Sequence, residues 1–345
     1  MFAHSGEKAR MSRIVVLGAG AWGTAIALTL CRRGGHEVTL WAHSEEEARV
    51  IENARENTLF LPGFSLPSDL AITADLTPIA GAEIVVSVIP SEFLRSTLQR
   101  IKGELHNGQF IVSATKGIEK ETHLRMTQVI SQVLEPAGIL VSIGTFSGPS
   151  FAIEVAQGQP TAVTVAFSDL QVAQFLQQEF SSETLRIYTS NDVIGVELGG
   201  ALKNVIAIAA GVAVGMGLGY NSTAALITRG IAEITRLAVA CGGRRETLAG
   251  LSGVGDLVLT CTGSLSRNRT VGHALGQGRK LPEILESLGG KVAEGVLTTK
   301  AALGLARIQG IEMPITEQME LILEEGKDPR EAIRELMLRP GKGEH

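Results

Sequence analysis

The stretch RIVVLGAGAWGTAIALTLCRRGG (Arg13–Gly35) decides the fold. A short apolar run predicts a buried strand, Gly18, Gly20 and Gly23 form the pattern G-x-G-x-x-G, and a helical pattern follows. In this context the glycines allow a tight turn, close approach of the backbone to a pyrophosphate, and tight packing of helix on strand. The stretch therefore predicts a dinucleotide-binding turn, and a glycine turn without a ligand is the alternative.

The chain after this stretch keeps alternating between strand and helix patterns. HEVTLWAH, AEIVVSVIP, GQFIVSATKGI, ILVSIGTFSGPS, PTAVTVAF and TLRIYTS read as strands, and segments such as SEEEARVIENARE, with Ser44 as its predicted N-cap, read as helices. This alternation predicts an α/β fold, an N-terminal Rossmann-type doubly wound parallel sheet. From about residue 191 only helical patterns remain. We expect a disordered lead (1–11), a dinucleotide-binding domain (12–192) and a mainly α-helical substrate domain (193–340).

Composition narrows the possible partners. The 345 residues are 44% hydrophobic and carry a formal net charge of −5, which disfavours binding to nucleic acids or acidic membranes. The three cysteines lie far apart without a CxxC pair, so we expect neither a disulfide framework nor a metal site, and a cytoplasmic location. The first ten residues have no apolar region typical of a secretion signal.

The segment GGALKNVIAIAAGVAVGMGLGYNS (Gly199–Ser222) has no charged residue after Lys203, and the next charge is Arg229. Its length alone would suit a membrane span, but nothing marks two interfaces, and a buried helix is favoured. We expect the glycines from Gly211 onward to end this helix near the ligand cleft. Burial would lower the pKa of Lys203 and suit it to proton transfer. A lysine at a helix margin with a solvated amine is the alternative.

Three further stretches suggest a ligand site. In SATKGIE, Lys116 follows a buried strand and so should lie at the carboxyl end of the sheet. In SGPS, Ser150 offers a hydroxyl to a ligand or caps a helix. In GVGDLVLTCTGSLSRNRT, Asp256 and Thr260 would share a helix face, and Arg267 could grip a phosphate with its planar guanidinium. The alternatives are that Lys116 is an ordinary lysine in a turn, that Asp256 is a simple helix acid, and that SRNR is a solvated basic loop.

The second strand ends in LWAHSEEE, where many dinucleotide-binding proteins place an acid for the adenine ribose. His43 and Ser44 stand there instead, and the first acid is Glu45. NADP is therefore permitted but not required, and the cofactor is expected to be NAD or NADP.

The motifs GAGAWGTA, LWAH, ATKGIE, SGPSFA, GVELGGALKNVIAIAAG, TALITRG, GVGDLVLTCTG, SRNR, VAEG and MPITE occur in this order. From about Arg13 to Leu338 the chain resembles the bacterial NAD(P)-dependent glycerol-3-phosphate dehydrogenases. The resemblance implies a Rossmann domain followed by a helical domain. It also implies reversible reduction of dihydroxyacetone phosphate to sn-glycerol 3-phosphate for phospholipid synthesis, and a homodimer.

The resemblance implies roles for single residues. Lys203 corresponds to the family's proton-transfer residue. Substrate-binding positions are Lys116, Gly148, Ser150, Lys203, Asp256, Ser266, Arg267 and Asn268. Cofactor-binding positions are Gly18, Gly20, Ala21, Trp22, Gly23, His43, Lys116, Ala152, Arg267, Val292 and Glu294. Serine is frequent in the family where Ala21 stands, so only the backbone amide of Ala21 could bind the cofactor here. Arginine is frequent in the family where Ser44 stands.

Two other functions remain alternatives. A β-hydroxyacid dehydrogenase also combines a Rossmann domain, a helical domain and a lysine. The motif of that group places an asparagine four residues after the lysine (K-x-x-x-N), whereas Asn204 directly follows Lys203 here. A protein that senses dinucleotides without turnover would need neither a proton donor nor a phosphate-binding stretch.

Overall fold

The computed structural model describes residues 11–288, 293–341 and 343. The predicted disordered lead (1–11), apart from Met11, lies outside the described residues, and so does Val292.

Ten strands occur in the described chain. They are β1 (Ser12–Leu17), β2 (His36–Trp41), β3 (Glu56–Asn57), β4 (Leu61–Ser65), β5 (Ala71–Thr73), β6 (Ile84–Ser87), β7 (Phe110–Ser113), β8 (Ser142–Ser147), β9 (Thr161–Phe167) and β10 (Leu185–Ser190). Eight of them form one sheet in the order β10-β9-β8-β7-β6-β1-β2-β5, while β3 and β4 pair separately.

The helices fall into two groups. Those interleaved with the strands are α1 (Ala21–Arg33), α2 (Glu45–Ala54), α3 (Thr77–Gly81), α4 (Ser91–Ile101), α5 (Met126–Leu134), α6 (Ala152–Ala156) and α7 (Leu170–Phe180). Those after the sheet are α8 (Val193–Gly215), α9 (Tyr220–Ala240), α10 (Arg245–Leu248), α11 (Asp256–Thr262), α12 (Arg267–Gly276), α13 (Leu281–Ser287), α14 (Glu294–Gln309), α15 (Pro314–Glu324) and α16 (Pro329–Met337).

The large sheet confirms the predicted Rossmann-type architecture, with one difference. The pairs from β5 to β8 are parallel, but β9 runs antiparallel to β8. A parallel crossover takes a dozen or more residues and usually contains an α-helix that runs back along the sheet. The segment between β8 and β9 contains only the five-residue α6, so the chain re-enters the sheet in the opposite direction.

Both faces of the sheet are covered, which explains why its strands read as continuous apolar runs. In β1, Ile14 and Val16 pack in one apolar cluster with α1 and α7, and Val15 and Leu17 pack in another with α4 and α5. The strand order departs in both directions from β1, so the carboxyl ends of β1 and β6 form the switch point at which ligands of such folds bind.

Helix α8 is the centre of the helical part. In the part of the chain that the structure describes, it is the one continuous helix long and apolar enough to cross a membrane, and 89% of its most apolar window is buried. Other helices supply that burial, chiefly α12, α9, α11 and α14, as in the core helix of a globular protein. Lys203 is 6% exposed within it, so it is not a lysine at a solvated margin.

The expectation about the glycines from Gly211 onward is confirmed in part: Gly217, with φ +79° directly after the C-cap Met216, ends the helix, but the helix end does not lie near the ligand cleft. The helix continues through Gly211 to Gly215. A Cβ at Gly211 would lie 2.1 Å from the carbonyl oxygen of Arg269, and one at Gly272 of α12 would lie 1.9 Å from that of Ile208. These glycines therefore let α8 and α12 pack backbone against backbone, and the end of α8 lies about three helical turns beyond Lys203.

A buried carboxylate ties α8 to the start of α5. Glu197, 3% exposed, accepts hydrogen bonds from the Thr127 amide (2.8 Å), the Thr127 hydroxyl (2.7 Å) and Arg125 Nη1 (2.6 Å). Removal of one partner from such a pair leaves a buried charge unpaired and costs several kcal/mol. The network fixes the start of α8 relative to α5, and hence the position of Lys203 relative to the sheet.

Candidate active site

The turn between β1 and α1 has the shape that a dinucleotide requires. Gly18 has φ +113°, and a Cβ at Gly23 would lie 1.9 Å from the carbonyl oxygen of Gly18, so neither position tolerates a side chain. A Cβ at Gly20 would meet nothing within 4 Å, which leaves open space over the turn. Ala21, Trp22 and Gly23 are the first three residues of α1, and their amides point out of the helix start as donors for a phosphate.

Trp22 and Ala152 lie together beside this turn. Trp22 stacks on Phe146 at 6.1 Å between ring centroids, and both Trp22 and Ala152, the first residue of α6, pack against one apolar cluster that includes Ala25 and Val155. The buried Trp22 Nε1 has no hydrogen-bond partner within the described chain. A buried polar atom without a partner is costly, so the open space, the free amides and this donor together fit a bound NAD or NADP.

The end of β2 lies next to the glycine turn, since the Gly18 amide donates to the Trp41 carbonyl oxygen at 3.0 Å. His43 is exposed there. The predicted cap of α2 is confirmed, because Ser44 Oγ accepts from the Glu47 amide at 3.2 Å. In addition, Glu47 Oε2 accepts from the His43 amide at 3.1 Å, a carboxylate at this point that the sequence pattern did not reveal.

Lys116 lies at the carboxyl end of β7, as predicted, and its amine donates to the carbonyl oxygen of Gly148 at 3.2 Å. Gly148 has φ +151°, and its Cβ would lie 2.9 Å from Val163 Cα, so the turn requires glycine. The alternative of a helix cap at Ser150 is wrong. Phe151 holds the N-cap position of α6, and the Ser150 hydroxyl donates to the Gly148 carbonyl oxygen at 3.0 Å.

The small residues before Lys203 allow α8 to approach the sheet. A Cβ at Gly199 would lie 2.5 Å from the Ser252 carbonyl oxygen, and one at Gly200 would lie 2.3 Å from Ser147 Oγ at the end of β8. Because neither glycine has a side chain, α8 lies directly against the carboxyl end of β8 and against the π-helical turn (Leu251–Gly255) that precedes α11. The motif GGALKN thus places Lys203 at the carboxyl ends of the strands.

At this point four side chains meet. Asp256, fully buried, binds two lysines: its Oδ2 accepts from Lys116 Nζ at 2.8 Å, and its Oδ1 accepts from Lys203 Nζ. Lys203 Nζ also donates to Thr260 Oγ1 at 2.7 Å. Asp256 and Thr260 share a face of α11, as their spacing predicted. The notion of Asp256 as a simple helix acid is therefore wrong.

The environment of Lys203 lowers its pKa to about 8. Burial is the main cause, because it disfavours the charged amine, and Lys116 adds repulsion; the carboxylate of Asp256 opposes both. An amine with this pKa is mostly protonated at neutral pH and yet gives up its proton readily, as a general acid requires.

The SRNR stretch is the start of α12 rather than a solvated loop. Ser266 is the N-cap, 4% exposed, and its Oγ accepts from the Arg269 amide at 3.2 Å. Burial lowers the pKa of Arg267. The side chain of Asn268 is bonded at both ends, to Asn204 Oδ1 and to the Gly295 amide, each at 3.0 Å, so it ties α12 to α8 and α14. A buried helix N-terminus beside a guanidinium is a typical anion site.

Glu294 connects these elements to the sheet. It is the first residue of α14, and burial raises its pKa to about 7, whereas Lys116 and Arg267 lower it. A Cβ at Gly117 would lie 2.6 Å from Ser91 Oγ and 3.8 Å from a Glu294 carboxylate oxygen. Glu294 thus faces the strand ends near Lys116. The other predicted position in this motif, Val292, is outside the described residues.

The two halves of the chain match two family models. Residues 13–173 match the model described as the N-terminus of NAD-dependent glycerol-3-phosphate dehydrogenase, and residues 192–334 match the model of its C-terminus. The chain belongs to this family of dehydrogenases. It is thus an NAD(P)-dependent oxidoreductase with a Rossmann-type domain.

Individual relatives agree with this assignment. The chain is 58% identical over 337 residues to the glycerol-3-phosphate dehydrogenase [NAD(P)+] of Koribacter versatilis, which covers 97% of this chain and 99% of the relative. It is 59% identical over 338 residues to that of Acidobacterium capsulatum, with 97% and 100% covered. A crystal structure of the glycerol-3-phosphate dehydrogenase from Coxiella burnetii superposes with a TM-score of 0.90 at 38% identity, with 95% and 99% covered.

A likeness to a different dehydrogenase is much weaker. A D-mandelate dehydrogenase complex with NADH superposes with a TM-score of only 0.57 at 13% identity. That likeness concerns the fold alone, so the glycerol-3-phosphate dehydrogenase family describes this chain better in both sequence and structure.

Proposed function

We propose that this chain catalyses the reversible NAD(P)H-dependent reduction of dihydroxyacetone phosphate to sn-glycerol 3-phosphate, the backbone of glycerophospholipids. The observation that carries the proposal is the buried contact of Lys203, Asp256 and Lys116 at the carboxyl ends of the strands. The glycine turn follows β1 at the same end of the sheet. Arg267, the first residue of α12, interacts with Glu294, which also interacts with Lys116 and Lys203.

In this proposal Lys203 transfers the proton. The bound reduced cofactor supplies a hydride to the carbonyl carbon of the substrate. The carbonyl oxygen then becomes negative, and Lys203 Nζ donates a proton to it; in the oxidation direction the neutral amine takes the proton back. Thr260 and Asp256 hold the amine in one orientation through their hydrogen bonds.

Lys116 and Asp256 act beside the proton donor. The second cation lowers the pKa of Lys203 and thereby makes its proton easier to release, while the carboxylate keeps enough lysine protonated at neutral pH. The amine of Lys116 also reaches the Gly148 carbonyl oxygen, so it joins the turn of SGPS to the same cluster. We propose that Lys116 contacts both substrate and cofactor, and that Gly148 and Ser150 shape the substrate side.

The start of α12 is proposed to bind the substrate phosphate. The helix N-terminus offers backbone amides, and Arg267 adds a guanidinium whose planar fork matches phosphate oxygens. We assign Ser266 and the backbone of Asn268 to the same site. The bonded side chain of Asn268 then serves to hold the helix start in place.

A spectrophotometric assay with dihydroxyacetone phosphate and each reduced cofactor tests the proposed reaction. We expect loss of reduced cofactor with at least one of the two. Binding of a dinucleotide without any turnover would instead support a sensing protein.

The Lys203→Ala variant tests the assigned proton donor. It should keep its fold and cofactor affinity, yet lose about a thousandfold in turnover. Near-normal turnover would show that another group supplies the proton.

We further propose a homodimer in the cytoplasm, on the family resemblance. Size-exclusion chromatography with light scattering tests the dimer, and a mass of one chain at micromolar concentration would contradict it.

A further inference from the structure

We propose that Glu47 makes this chain prefer NADH over NADPH and that Arg100 opposes this preference. The inference rests on the proposed function, since it concerns the cofactor of that reaction. It extends the view from the sequence, in which the end of β2 carried no acid and left both cofactors open.

The first step is the position of the Glu47 carboxylate. Glu47 belongs to the first turn of α2, four residues after His43. The turn brings its side chain back, so that Glu47 Oε2 accepts the His43 amide at 3.1 Å while its own amide donates to Ser44 Oγ at 3.2 Å. One hydrogen bond therefore holds the carboxylate at the end of β2, and the other fixes the Glu47 backbone beside it.

The second step is what lies next to that end. The Trp41 carbonyl oxygen accepts the Gly18 amide at 3.0 Å, so β2 ends beside the glycine turn. In folds of this type the adenine ribose lies between the turn and the end of the second strand, and an acid there accepts a hydrogen bond from the ribose 2′-hydroxyl. The same acid repels a 2′-phosphate. Glu47 reaches this place from the following helix instead of from the strand.

The third step is the balance of charge. Glu45, Glu46 and Glu47 all lie in the first turn of α2. The nearby cation on the other side is Arg100 at the end of α4, whose guanidinium stands 5.3 Å from the centroid of the Trp41 ring and donates to the His43 carbonyl oxygen at 3.3 Å. Glu45 and Glu46 are exposed, so solvent screens their charges, whereas the Glu47 carboxylate is held at the end of β2; it repels a 2′-phosphate there, and Arg100 attracts one.

The test compares binding and turnover of the two cofactors. Isothermal titration with NAD⁺ and NADP⁺, without substrate, gives the ratio of the two Kd values, and initial rates with NADH and NADPH give the ratio of kcat/KM. The wild-type chain should prefer NADH. Glu47→Gln, which keeps an acceptor for the His43 amide, should shift both ratios toward the phosphorylated cofactor by about tenfold. Arg100→Gln should weaken NADPH binding by about tenfold and leave NADH unchanged.

Glu46→Gln is the matched control, because it removes the same charge from the same helical turn and Glu46 is exposed. It should change the ratios by less than about twofold, as a screened surface charge does. The proposal is overturned if wild type prefers NADPH, if Glu47→Gln leaves both ratios unchanged, or if Glu46→Gln shifts them equally. The expected shift in Kd without any reduction of dihydroxyacetone phosphate would uphold the role of Glu47 and refute the proposed reaction.

Discussion

Replacement of Asp256 by asparagine should move the pH dependence of the reaction by about three units. Asp256 is fully buried and touches the amines of Lys116 (2.8 Å) and Lys203. Two unit charges about 4 Å apart interact by about 4 kcal/mol at an effective dielectric constant of about 20. Since 1.36 kcal/mol corresponds to one pKa unit, the loss of the carboxylate lowers the pKa of Lys203 by about three units.

The side chain of Lys203 is only 8% exposed, so solvent screens little of its interaction with the Asp256 carboxylate. The Lys203 pKa of about 8 means that about nine-tenths of the enzyme carries the protonated amine at pH 7. A pKa lower by three units would leave about one molecule in a hundred protonated. Reduction at pH 7 should then fall by about a hundredfold, because it needs the proton, whereas oxidation, which needs the neutral amine, should reach its plateau at lower pH.

The measurement is kcat/KM for oxidation of glycerol 3-phosphate as a function of pH. The rising limb should lie near pH 8 in the wild type and near pH 5 in Asp256→Asn. A thermal melt monitors folding, since breaking a buried pair costs about 3–5 kcal/mol. If the variant does not fold, Thr260→Val removes the other partner of Lys203 and should lower the limb by about one unit. A limb that stays near pH 8 in a folded variant would refute the role assigned to Lys203.

Three other changes test separate parts of the structure. Arg267→Ala should raise the KM for dihydroxyacetone phosphate by about thirtyfold or more through loss of the phosphate contact; steady-state kinetics check this, and equal oxidation of glycerol and glycerol 3-phosphate by the wild type would contradict it. Gly272→Ala should lower the free energy of unfolding by about 2–3 kcal/mol, because its Cβ would lie 1.9 Å from the Ile208 carbonyl oxygen. In denaturant titrations Gly103→Ala, which meets nothing within 4 Å, should not destabilise. Glu197→Gln should lower the same free energy by about 3 kcal/mol, since it leaves Arg125 without its partner; an unchanged denaturation midpoint would disprove that role.

The sequence by itself determined the features that depend on neighbouring residues. The glycine turn between β1 and α1 needs three glycines within six residues, and their spacing alone predicts it. The long run without charge after Lys203 predicts a buried helix in the same way, because its mainly apolar side chains are stabilised when they are removed from water. Ser44 as the cap of α2 is equally local. These patterns were sufficient for the fold class and for the suggestion of a lysine with a lowered pKa.

Only the tertiary structure decided which distant groups meet. The contact of Lys116 with Asp256 spans 140 positions, and that of Lys203 with Thr260 spans 57. The same holds for Gly211 of α8, whose close contact with the backbone of α12 depends on how the two helices pack. Arg100 beside the end of β2 is a further case. Spacing along a chain fixes a residue's face on its own helix or strand, but contacts across elements depend on how the elements pack, and that packing minimises the free energy of the whole core.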